Sequence, residues 1–147
     1  MTASDADSRG GGPSARQVSV GLRATITAEV TEADTAEALG SGDLPVLGTP
    51  RLLALAEAAC VAAVAPLLEA GQTTVGTEVS LEHKRPSRIG TSLEVEAELT
   101  EINGRRLVFM FIAYGPGEGE DSVIGAGRAE RVIVDADRFL ARVGRAG

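Results

Sequence analysis

One carboxylate interrupts a long apolar run in this chain. The stretch "LALAEAACVAAVA", residues 53–65, carries Glu57 among alanine, leucine and valine. An ionised carboxylate inside an apolar helix is costly unless a partner satisfies it. Such a group is either half of an ion pair, typically with arginine, or a base or nucleophile held for chemistry. Taken alone, Glu57 supports both readings equally. His83 is the only histidine and shares the apolar parity of a two-residue period with Val75, Val79 and Leu81. An inward imidazole there is more commonly a satisfied core group than a proton carrier. Thr49 precedes Pro50 at the start of the apolar run, and capping the helix explains it fully. Thr49 and Glu57 are eight residues apart, about 12 Å along a helix axis. They do not touch within one helix, so a substrate or a second subunit must connect them.

Other chemistries find little support. One histidine and one cysteine give no metal-ligand cluster of the usual spacing. No serine sits in a nucleophile elbow, and "GPGEGE" joins two strands and opens no helix, so it reads as a turn. A formal charge of −7 argues against nucleic acid, which needs a basic surface. A single cysteine makes no internal disulfide. The opening "MTASDADSRGGGPSAR" has no apolar stretch and is no signal peptide, and no window approaches a membrane span. These features point to a cytoplasmic protein without a membrane partner.

The elements that must position the three residues follow from periodicity. Residues 1–16, rich in Gly, Ser and Asp, read as a disordered tail, and 17–147 as a single domain. Val18, Val20, Leu22, Ala24, Ile26, Ala28 and Val30 alternate strictly, which predicts a strand with one buried face. A short helical turn and a loop lead to the long helix, from Thr49 to about Leu68, with Pro66 bending its end. The period then returns to two. Leu93, Val95, Ala97 and Leu99 point one way and Glu94, Glu96 and Glu98 the other. Asn103-Gly104 predicts a hairpin. "RRLVFMFIAY" is apolar enough to be covered on both faces, "SVIGAGRAERVIV" forms the last strand, and Asp135 caps a short terminal helix. One strand, a helix and four strands joined largely as hairpins make an α+β fold with an antiparallel sheet. A helix apolar all round needs a sheet wrapped about it, and further cover from flanking segments or a second subunit.

From "LPVLGTPRLLALAEAACVAAVAPLLEAGQTTVGTEVSLEHKRPSRIGTSLEVEAELTEINGRRLVF" to "IGAGRAERVIV", the chain resembles the hotdog-fold acyl-CoA thioesterases, in the branch containing fluoroacetyl-CoA thioesterase. The resemblance spans about residues 18–143 and implies an antiparallel sheet wrapped round one central helix. It implies a homodimer or dimer of dimers, with sheets joined edge to edge and active sites at the interface. Thr49, Glu57 and His83 match that branch's catalytic set in order and spacing, and Gly76 matches a glycine that leaves room for the acyl group. The implied substrate is an acyl-CoA, with coenzyme A entering as part of the substrate and no other cofactor. One departure bears on selectivity. The fluoroacetyl enzyme carries a gating aromatic a few residues before the threonine, whereas "SGDLPVLGT" has none. Two other functions use such a fold: a non-catalytic acyl-CoA-binding or regulatory module, and an acyl-CoA hydratase or dehydratase. The order of Glu57 and His83 fits the thioesterases better.

Overall fold

A computed structural model describes residues 17–146, so the expected tail at 1–16 lies outside the described residues. Five strands form one antiparallel sheet in the order β1-β3-β4-β5-β2. They are β1 (Arg23–Glu29), β2 (Gln72–His83), β3 (Ser92–Asn103), β4 (Arg106–Tyr114) and β5 (Val123–Asp135). The helices are a single turn, α1 (Ala36–Leu39), the central α2 (Thr49–Val64) and the terminal α3 (Ala136–Ala146). The sheet wraps α2, which packs chiefly on β3 and β1 and more lightly on β2 and β4. This is the hotdog arrangement.

The core follows the expected parities. Leu93, Val95, Ala97 and Leu99 are buried beneath Leu52, Leu55, Ala56 and Ala59 of α2, and Phe109 and Phe111 of β4 are the largest fully buried side chains. Small residues on the inner face of α2 let helix and sheet approach closely. The chain after β3 turns through Gly104 (φ 64°), with Asn103 already paired to Arg106, so the two-residue loop is Gly104-Arg105. The Asp135 carboxylate accepts from the Arg138 amide at 2.9 Å, capping α3 as expected.

Several expectations change. The first strand begins only at Arg23, because a turn through Gly21 (φ 102°) places Val18 and Val20 outside it. Only β3, β4 and β5 follow one another as neighbours; β2 pairs with β5, so the chain crosses the sheet between β2 and β3. The outer face of β4 is open among the described residues, with Met110 and Ile112 exposed. Within one chain α2 is covered on one side, and Pro50, Ala54, Ala58, Val61 and Ala62 face outward. By length and composition Thr49–Leu67 would pass as a membrane span, at 19 residues and mean hydropathy 1.5. The expectation that no window approaches that length fails; the sheet accounts for the apolarity of the inner side of α2, the core helix.

Candidate active site

Thr49 is the first residue of α2, and the N-cap is Gly48, which has no side chain to accept from the first turn. Thr49 is therefore not the cap. Its hydroxyl is free for another partner, and Oγ1 lies 2.8 Å from Nδ1 of His83, the last residue of β2. Which atom donates depends on the imidazole tautomer. The second ring nitrogen, Nε2, is buried without a hydrogen-bond partner among the described residues. Burial pushes the His83 pKa below its ordinary value, against an opposing pull from the Arg85 backbone. At neutral pH the ring is uncharged, with one nitrogen committed to Thr49 and the other unused. An unsatisfied buried nitrogen in a neutral imidazole suits proton transfer to a ligand.

Glu57 lies two turns further along α2 and has a partner. Its Oε2 accepts from Arg131 Nη1 at 2.9 Å. Arg131 is itself held by Thr74, donating from Nε to Oγ1 at 2.9 Å and from Nη2 to the backbone carbonyl at 3.0 Å. The arginine side chain is only 9% exposed and the glutamate 35%, so the pair opens outward at the carboxylate. The ion-pair reading of Glu57 is thus realised, and the carboxylate is half-buried. No hydrogen bond links it to His83 or Thr49.

Gly76 sits in this second group. It pairs with Arg131 across the β2–β5 ladder, and a β-carbon on it would lie 2.6 Å from Glu57 Oε2 and 3.1 Å from Arg131 Nη1. Within one chain, the space that the missing side chain leaves is filled by the ion pair. Sequence reasoning missed Arg131. The available signal was parity, since Arg131 shares the inward phase of Ala129 and Ile133 on β5, where an arginine needs a partner.

The four expected residues therefore fall into two groups, Thr49 with His83 and Glu57 with Gly76. Gly76 and His83 lie seven positions apart on β2, up to about 23 Å of extended chain. The single cysteine contributes nothing: Cys60 is buried in α2, and its thiol is pushed up to about 12, chiefly by burial. No cluster of three metal-ligating side chains occurs among the described residues.

Comparison with known proteins joins these observations. A curated fluoroacetyl-CoA thioesterase from Streptantibioticus cattleyicolor is 37% identical over 98 residues, 67% of this chain and 68% of the relative. The crystal structure of a point mutant of the fluoroacetyl-CoA thioesterase FlK in complex with acetyl-CoA superposes with a TM-score of 0.81 at 30% identity. That alignment covers 88% of this chain and 98% of the other. A thioesterase superfamily member from Thermus thermophilus gives 0.78 at 28% identity, over 89% and 94% of the two chains. The family model described as "FlK: Fluoroacetyl-CoA-specific thioesterase" matches residues 30–137, a span that takes in α2 and all of β2 to β5. The helix and the strands that carry both groups all lie inside that match, and the chain belongs to the FlK family of fluoroacetyl-CoA-specific thioesterases.

Proposed function

We propose that this chain hydrolyses the thioester of a short or medium acyl-CoA at a site built by two copies of itself. The chain is an acyl-CoA thioesterase by family, and the observation that carries a mechanism is the 2.8 Å contact between Thr49 Oγ1 and His83 Nδ1. It places a neutral imidazole beside a hydroxyl at the positive end of an apolar helix, where a developing oxyanion is favoured. Glu57 attacks the thioester carbonyl, or takes a proton from the water that does. With water as the attacking group, its proton passes by way of His83 to the departing sulfur as the C–S bond breaks, releasing CoA as the thiol and the acid as product. With Glu57 as the attacking group, the thiolate takes its proton from a water by way of His83, and the remaining hydroxide adds to the acyl-glutamyl anhydride, freeing the acid and restoring the Glu57 carboxylate. Arg131 binds one carboxylate oxygen of Glu57 and leaves Oε1 for the chemistry. The scheme draws on no cofactor beyond the coenzyme A of the substrate.

The separation of the two groups supports a homodimer. β2 is a sheet edge twelve residues long, and a long open edge invites pairing with another strand. A second copy joined to it antiparallel runs the His83 end of one strand towards the Gly76 end of the other. Glu57 of the partner then faces Thr49 and His83, and the outward apolar side of α2 is covered. A two-fold axis makes two such sites.

The test has two steps. An acyl-CoA panel with free-thiol detection should release CoA from at least one substrate; a folded protein that releases none would shift the reading to an acyl-CoA-binding module. Glu57→Gln and His83→Ala chains, each inactive alone, are then unfolded together and refolded. Random pairing gives heterodimers with one intact site, so about a quarter of wild-type activity should return. No recovery would place all three residues in one chain's site.

A further inference from the structure

The only histidine of the chain is followed by its only lysine and then by an arginine, His83-Lys84-Arg85, with Arg88 three positions on. Three of the chain's 14 basic residues fall within five positions of a protein with formal charge −7, and all three are exposed. The run is fixed in place. The amides of Lys84 and Arg85 both donate to the Ile124 carbonyl, at 2.7 and 3.2 Å, and the Leu47 amide donates to the Ser87 carbonyl at 2.8 Å. The segment is thereby pinned between the start of β5 and the loop that leads into α2.

Two cavities meet at this segment. One, about 300 Å³, is lined by Thr49 and His83 and also by Lys84 and Arg85. The other, about 510 Å³, is lined by Lys84 and Arg85 together with Ile112, Val123, Ala126 and Glu120. The first is near the lower limit for a small-ligand pocket and is too small for a whole acyl-CoA. The roles given to Thr49, Glu57 and His83 leave the second unused. Both cations have weak partners: Lys84 Nζ lies 3.9 Å from Glu82 and Arg85 Nη2 lies 3.4 Å from Asp121, and those carboxylates are 76% and 87% exposed. Exposed pairs of this kind contribute little and yield to a better anion.

We propose that Lys84 and Arg85 anchor the phosphates of the coenzyme A handle, with the nucleotide entering the second cavity while the thioester lies in the first. This rests on the acyl-CoA thioesterase reading. Phosphates carry the charge of that substrate, a guanidinium grips them in fork geometry, and a lysine adds a point charge. Ile112, Val123 and Ala126 offer an apolar wall to the base. Glu120 on the rim disfavours any ligand whose phosphates do not reach the two cations. The pantetheine arm separates the phosphates from the reacting carbonyl, so contacts to them hold ground state and transition state alike and act on KM and not on kcat.

The test compares one acyl group on coenzyme A and on N-acetylcysteamine, which has no phosphate. In Lys84→Gln/Arg85→Gln, KM for the acyl-CoA should rise about tenfold or more at nearly constant kcat, and the preference for CoA over N-acetylcysteamine should collapse by the same factor. A KM that does not move, or equal losses on both thioesters, overturns the proposal. A second measurement is independent of turnover. Lys84 is the only side-chain amine, so an amine-reactive label followed by peptide mass spectrometry reads it directly. Coenzyme A should protect Lys84 and pantetheine should not. Equal labelling with and without coenzyme A overturns the anchor even if the protein hydrolyses every thioester offered, whereas protection without hydrolysis fails the thioesterase reading alone.

Discussion

Glu57 is structural through its bond to Arg131 and catalytic in the mechanism proposed. Its bond to Arg131 means that Glu57→Gln removes the charged partner of an arginine that is only 9% exposed, while the two bonds from Arg131 to Thr74 survive. We expect a loss of about 1–2 kcal/mol, well below that of stranding a fully buried ion. Turnover per folded molecule should fall by orders of magnitude. Normal turnover per folded molecule, with only the melting temperature reduced, would leave Glu57 a purely structural residue. At His83 the sign of the pH effect follows from burial. Its pKa lies below the ordinary 6.5, so the neutral base persists into mildly acidic solution. The acid limb of kcat/KM should therefore have its midpoint below 6.5. The same shift makes a stability contribution that is complete above the unfolded value and lost as pH falls through the folded one. An acid limb centred above neutrality would contradict this. Sequence alone offered the residue types and their spacing, but capping seemed to account for Thr49. The cap is Gly48, and only backbone geometry reveals that the hydroxyl is free for His83.

At the scale of elements, alternation in β3 and the apolar face of α2 were legible because burial imposes a period on each. The crossing between β2 and β3 was not, since periodicity within a strand carries no information about which neighbour it pairs with. Nor did the apolarity of α2 reveal its cause. Seven of its residues are buried in the chain, while Val61, 37% exposed, lies on the outward side. Val61→Asp tests whether that side meets a partner. Placed in an interface, the new carboxylate should cost several kcal/mol of association and convert the protein to a monomer. Light scattering that returns the same mass for variant and parent would show that this side is free in solution.

For the whole molecule, substrate choice depends on what surrounds the site. The loop before Thr49 has no aromatic side chain, and Leu44 within it is 61% exposed. With no aromatic gate, discrimination between fluoroacetyl-CoA and acetyl-CoA should stay below about 200-fold, since one small substituent in an apolar pocket yields about 1–3 kcal/mol at most. A competition assay with a stronger fluoroacetyl preference would locate selectivity elsewhere. The distance between Glu57 and His83 within a chain has a further consequence. If the site is built by two copies, as proposed, a lone chain holds its parts and no complete one, and turnover requires an encounter between two copies. Specific activity should then be constant at high enzyme concentration and fall in proportion to concentration once the enzyme is diluted below its dissociation constant. On that reading a newly made chain is silent until another has been made nearby, and the cell's expression level, beyond setting how much enzyme there is, sets whether each molecule works at all.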